Sequence, residues 1–287
     1  SLFLEEKINN SKIILLSLLT AFLIGIRTLG LLICFQYLIS IVILFNIKKI
    51  NINDFVKKNW KLFLIFTIPL FIFIYIFNPI FWHNPFFEVI NSINVMSRYW
   101  NELCTLTLGT CMKSTSLPAS YYFIWFFFKL PILVIIGILL FPFVEKKIFN
   151  GTLASMYYLT LLLSFFLILF IFILKNVAVY DEIRHILFLV PMIFLIGLTN
   201  LFYFNKKLFI SLGSIVFFFF LIENFSLYPY QYTWLNSFAK FTNIQKNFEI
   251  DYWGISNKNL TKKIVQYAER NSINKETCVY GDIFAKE

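Results

Sequence analysis

From Ile186 to Asn205 the chain runs through twenty residues, "ILFLVPMIFLIGLTNLFYFN", without one charged side chain. A helix of about 20 apolar residues is what the hydrocarbon core of a bilayer requires. Apolar runs of this kind recur at 13–26, 29–46, 61–79, 121–143, 152–174, 185–204 and 208–226, which gives seven candidate spanning helices. Gly25, Arg27 and Gly30 interrupt what would otherwise be one long run over 13–46. A helix that long overshoots the membrane, so a reversal at "GIRTLG" is expected. Only 14% of the residues are charged and 59% are hydrophobic. A soluble domain carries about 25% charged residues, so this chain lacks the polar surface to face water. The fold class expected is an all-α polytopic membrane protein of about seven transmembrane helices, with a short extracytoplasmic α/β segment at its C-terminal end.

The net charge of +10 is topological, because lysines and arginines collect in cytoplasmic connections; no nucleic-acid partner is expected. Lys48, Lys49, Lys57, Lys58 and Lys61 lie between the second and third runs, Lys146 and Lys147 follow the fourth, and Lys206 and Lys207 follow the sixth. These connections alternate with the others and are assigned to the cytoplasm, along with Lys7 and Lys12. The opposite face receives the reversal at Arg27, the long loop 80–120, the short loop 175–184 and the tail. Two domains result: a transmembrane domain over 1–226 and an extracytoplasmic segment over 227–287. In that tail "NKNLTKKIVQYAERN" has the spacing of an amphipathic helix and "TCVYGDI" reads as a strand. The tail stops as a strand and turn cut short, and the chain opens on Ser1, so a piece of a longer protein is expected.

The outward face carries the polar chemistry. Asp181, Glu182, Arg184 and His185 crowd together at the head of the sixth run. Two acids there suit a helix N-terminus, whose dipole disfavours cations. Arg184 and His185 are therefore either an ordinary solvated helix end or a pair that holds a phosphate. Arg27 is either a snorkelling arginine or a further anion contact. Loop 80–120 adds His83, Glu88, Arg98 and Glu102, beside tryptophans that suit an interfacial belt; an amphipathic helix is expected around 86–100. Cys104 and Cys111 are either a disulfide on an oxidising face or two thiols. Cys34 is expected to pack within a helix and Cys278 to stay single. Lys129, inside the fourth run, either snorkels outward, which is the reading expected, or is a buried cation facing a lipid phosphate. The chain holds no phosphate-cradling glycine loop, zinc-ligand spacing or serine elbow, and neither metal nor cofactor is expected.

Three segments together resemble a known family: "PASYYFIWFFFKLPILVIIGILLF" with Pro118, Tyr121, Tyr122, Lys129 and Pro131; "RHILFLVPMIFLIG" with Arg184, His185 and Pro191; and "YPYQYTWLN" followed by "DYWG" at Asp251–Gly254. They are similar to polytopic glycosyltransferases of the GT-C class, in the protein O-mannosyltransferase and lipid A aminoarabinose transferase superfamily. That resemblance implies a multi-pass protein of the bacterial inner membrane that moves a sugar from a polyprenyl-phosphate-linked donor to an acceptor (a glycan, lipid or protein) on the extracytoplasmic face. It implies donor-phosphate contacts at Arg27, Arg184 and His185, and substrate contacts at His83, Arg98, Glu102, Asp181 and Glu182. The family's catalytic acid lies in the first extracytoplasmic loop. Nothing here matches it, and Glu5 and Glu6 fall on the cytoplasmic side. The catalytic residue is thus expected upstream of Ser1, which makes this chain a C-terminal portion, inactive by itself. A flippase or transporter, or an O-antigen polymerase or ligase, is the rival reading; such transporters often carry inverted repeats, and no repeat is visible here.

Overall fold

The structure, a computed structural model, describes residues 9–26, 28–49, 51–88, 90–91, 103–251 and 253–271. Arg27, Arg98, Glu102, Cys278, most of the helix expected at 86–100 and the strand expected at "TCVYGDI" lie outside the described residues. The fold is mostly helical and divides into two compact units, one of residues 1–101 and 142–177, the other of 102–141 and 178–287.

In the first unit, α1 (Asn10–Ile26) packs along α3 (Ile52–Phe77), and α2 (Leu32–Lys48) packs along α7 (Thr152–Leu174). Thr20 of α1 meets the Tyr37 hydroxyl of α2 at 2.9 Å, so the chain folds back between them as the interrupted run requires. Gly30 makes the reversal fit: a Cβ there would stand 2.6 Å from the Leu23 carbonyl oxygen. The left-handed Lys49 (φ 50°) ends α2, and the Asn51 side chain accepts from the Asn53 N–H to start α3. Between α2 and α7, Ile43, Leu44 and Met156 form a small buried cluster. The short α6 (Phe141–Phe149) buries Val144 and Ile148.

The second unit begins with a hairpin, β1 (Cys104–Thr107) paired antiparallel with β2 (Thr110–Lys113). Its two turn residues, Leu108 and Gly109, both have positive φ (49° and 75°). That is the turn hand matching strand twist, and glycine is the residue that adopts it without strain. A Cys104–Cys111 disulfide closes the hairpin, with Cα atoms 5.4 Å apart. Helices α4 (Ala119–Lys129) and α5 (Ile132–Leu139) follow, then α8 (Val190–Phe204) and α9 (Lys206–Ser226). Two short elements in the tail are α10 (Ile244–Asn247) and α11 (Asn257–Arg270).

Among the described residues, four segments are long and apolar enough to cross a bilayer: Ile52–Phe77, Leu153–Leu174, Arg184–Phe204 and Lys206–Ser226. The α4–α5 pair makes a fifth only if it counts as one span, because it bends by 118°. The count of seven is not confirmed. The first two runs form helices of 17 residues each, at the short end of what reaches across hydrocarbon. The 121–143 run is broken, since Pro131 has no N–H to donate and forces the residue before it out of the helical region; Leu130 is extended at φ −88°, ψ 141°. No residue of α9 is buried, and Phe217, Phe218 and Phe219 are exposed. An apolar surface of that size fits a lipid solvent.

A break inside an apolar helix frees carbonyls that hydrocarbon cannot satisfy. Here Asn236, 106 to 109 residues onward, satisfies them. Its Nδ2 donates to the Phe127 and Leu130 carbonyls at 2.6 and 2.9 Å, and its backbone N–H to the Phe128 carbonyl at 2.8 Å. Beyond the break, α5 presses on α8 through two glycines. A Cβ on Gly137 would lie 2.1 Å from the Gly197 carbonyl oxygen, and one on Gly197 would lie 2.6 Å from that of Val134. Such small-residue contacts let membrane helices approach backbone to backbone.

Gly197→Leu should force these helices apart and cost about 1–3 kcal/mol or more, while Gly213→Ala, at a glycine with open space around it, should be neutral. Thermal unfolding of the purified protein in detergent reads both. Asn236→Ala should cost about 1–3 kcal/mol for each carbonyl left without a donor, measured the same way.

Candidate functional site

The site is built on the turn that enters the Arg184–Phe204 segment. Asp181 and Glu182 are consecutive non-glycine residues at φ 55° and 63°. Such conformations cost of order 1–3 kcal/mol each and persist only where surroundings fix them. Glu182 supplies the fixing contacts at both ends: its carbonyl accepts from the Tyr121 hydroxyl at 2.9 Å, and its Oε2 lies 2.5 Å from Lys129 Nζ. Tyr121 is fully buried and Glu182 is 2% exposed. Lys129 Nζ also donates to the Tyr232 carbonyl at 2.8 Å. Lys129 therefore does not snorkel. It is a buried cation that joins the helix break, the Glu182 turn and the tail, because pairing with Glu182 offsets the cost of leaving water. Among the described residues, Glu182 Oε1 has no hydrogen-bond partner although it is buried.

The left-handed pair turns Asp181 and Arg184 toward each other, with Oδ2 and Nη2 3.0 Å apart. The Arg184 guanidinium lies against two rings, 5.1 Å from the Tyr180 centroid and 4.7 Å from that of Trp253. His185 completes the group: its Nε2 is 3.3 Å from Arg184 Nη2, and its ring is 4.3 Å from Tyr180. The helix begins here as a 3₁₀ turn, Arg184–Leu189, before α8 proper. That spares the two cations a full helix N-terminus directly beneath them. Arg184 and His185 are both half-buried.

Trp253 reaches Arg184 through a compact knot. The Asp251 carboxylate accepts from the Tyr232 and Ser256 hydroxyls and from the N–H groups of Ile255 and Ser256 at 3.1 Å. Gly254, at φ 60°, closes the turn. Burial raises the Asp251 carboxyl, but these donors outweigh it and hold it below the ordinary carboxylate range. The "YTWLN" and "DYWG" segments are thus one assembly, whose members touch Lys129, the broken helix and Arg184. On the far side, the Trp125 indole donates to Thr107 Oγ1 at 3.0 Å and ties the hairpin to α4.

Of the residues singled out in the sequence, Asp181, Glu182, Arg184 and His185 come together. His83 is exposed in the first unit, after the 3₁₀ turn Pro79–Trp82. Arg27, Arg98 and Glu102 lie outside the described residues. The sequence reading assigned no role to Tyr121, Tyr180, Asn236 or Trp253, and it placed Asp181 and Glu182 on a helix dipole instead of in a left-handed turn. Lys129 was the one visible signal, as a charge deep in an apolar run. No group of three or more His, Cys, Asp or Glu side chains fit to hold a metal occurs among the described residues. No family model, curated protein or solved structure matches this chain.

Burial pushes Glu182 from its ordinary 4.5 up to about 7, against the pull of Lys129. Between those values the folded chain holds a proton that the unfolded chain has released. The Glu182 contribution to stability therefore falls as pH rises through about 4.5 to 7. Glu182→Gln should flatten that slope in thermal unfolding measured across the window. Lys129→Met leaves the acid buried without its partner and should cost about 3–5 kcal/mol, much of which the Lys129→Met/Glu182→Gln double variant should restore.

Proposed function

We propose that this chain is the donor-binding portion of a polytopic glycosyltransferase that takes a sugar from a polyprenyl-phosphate-linked donor at a membrane surface, with Arg184 and His185 as the donor-phosphate contacts. The observation that supports it most is the placement of Arg184. The guanidinium lies against two aromatic rings, beside an imidazole, at the first residue of a 21-residue apolar segment. A phosphorylated polyprenol has matching parts, a long apolar chain ending in an anion. A planar guanidinium with five N–H donors is the side chain suited to grip that anion.

In the transfer, the acceptor oxygen bonds to the anomeric carbon as the bond from that carbon to the phosphate oxygen breaks. The phosphate leaves with the electron pair, and the acceptor's proton passes to a base. Cations fixed in advance at the phosphate stabilise the charge as it grows. Asp181, Tyr180 and Trp253 keep Arg184 in place without competing for the reacting carbon. Glu182 and Lys129 are positioning residues, because their pairing fixes the turn that carries Arg184. Part of the same reading is the seven-run topology, with the lysine-rich connections cytoplasmic and the tail in the oxidising compartment that the Cys104–Cys111 bond suits.

The purified chain in nanodiscs, titrated with a polyprenyl phosphate, tests this. Arg184→Ala and His185→Ala should each weaken binding about 10- to 100-fold, the loss expected for a hydrogen bond to a charged group. Lys175→Ala, at an exposed lysine outside the cluster, should leave it unchanged. Equal affinity in wild type and both site variants would overturn the reading.

A further inference from the structure

The helix α11 has no buried residue, yet one of its faces is apolar. Leu260, Ile264 and Tyr267 follow at spacings of four and three and so share a side. Ile264 is half-buried against the protein, whereas Leu260 and Tyr267 are 52% and 64% exposed. Trp253 and Ile255, just before the helix, are exposed as well. Lys258, Lys262, Lys263 and Arg270 stand against a single acid, Glu269. All four cations are exposed, and Lys263 flanks the apolar side between Leu260 and Tyr267.

The position of α11 selects among occupants. The last long apolar helix, α9, ends at Ser226, and Tyr230 follows within a single turn of chain. The Tyr230 hydroxyl is hydrogen-bonded to Asn259 in the first turn of α11. The tail around it folds back on α9, where Trp234 donates to Glu223 at 2.9 Å and Lys240 pairs with the same carboxylate at 3.1 Å. The helix therefore starts at the level where α9 leaves the apolar layer. An exposed apolar stripe flanked by lysines at that level has the chemistry of the headgroup boundary: side chains that enter the acyl edge, and cations that meet phosphate.

We propose that α11 docks on the surface of the membrane that holds the chain, through anionic phospholipid headgroups, with Leu260 and Tyr267 entering the lipid. The docking requires that the chain span a membrane and is independent of sugar transfer.

A single probe tests it. Leu260→Cys, in a Cys34→Ser/Cys278→Ser background, carries an environment-sensitive fluorophore on the full chain. The chain is reconstituted in vesicles of phosphatidylcholine alone or with phosphatidylglycerol added. Nitroxide-labelled lipid should quench the probe in the anionic vesicles, and less so in neutral ones or at high salt, where surface charge is screened. Each of Lys258→Gln, Lys262→Gln and Lys263→Gln should lower the ratio of docked to free helix about fivefold. A probe that stays water-exposed in both vesicles overturns the proposal. So does one that is shielded from aqueous iodide yet untouched by lipid nitroxide, since a protein then covers the face. Neither result bears on polyprenyl phosphate binding at Arg184, so the two readings can fail separately.

Discussion

The salt bridge between Lys129 and Glu182 sets the terms on which the second unit folds. Removing both ions from water is costly, and their attraction repays that cost only with good geometry and further hydrogen bonds. The unit supplies these: the Tyr232 carbonyl takes a second lysine proton, and Tyr121 holds the glutamate backbone. The pair thereby fastens three remote stretches, namely the broken helix, the left-handed turn and the tail. Burial nonetheless raises the Glu182 carboxyl against the pull of Lys129, so the bridge is not a purely stabilising device. Glu182 belongs to the same left-handed turn that presents Arg184.

Around this fastening the unit separates two kinds of contact. On their exposed faces the helices present apolar side chains with little specificity, as the outward phenylalanines of α9 show. Inward the contacts are particular: glycine on glycine between α5 and α8, an asparagine matched to three carbonyls, and a guanidinium against two rings. In lipid there is little hydrophobic force to press helices together, so close backbone approach and polar matching carry the specificity. The polar residues concentrate where the chain departs from regular helix, because those are the places where backbone groups need partners.

What could be read in the sequence follows the same division. The apolar runs, the glycine-marked reversal after α1, the amphipathic α11 and the cluster at 181–185 were legible because each is a local pattern of period or charge. The α4–α5 bend was half legible: Pro131 was plain to see, but hydropathy runs straight through it. Lys129 was misjudged because depth in a run measures the cost of a charge and not its partner, which lies in another segment. Asn236 stood at the end of the quoted "YPYQYTWLN" segment, but its role was not legible, since an asparagine in a polar tail looks like any turn residue until the carbonyls it serves are known. The hairpin was visible only as two cysteines, although Leu108–Gly109 between threonines marks its turn.

The clasp at Asn236 has a bearing on how the chain is made. Residues 127–130 leave the ribosome more than a hundred residues before the side chain that satisfies them, and Lys129 precedes both Glu182 and Tyr232. Through that interval the α4–α5 segment carries bare carbonyls and an unpaired ammonium, a poor candidate for immediate release into lipid. Asn236 is thus made after the break it serves: a nascent chain interrupted before residue 236 holds the bent α4–α5 segment but not the side chain that satisfies its carbonyls.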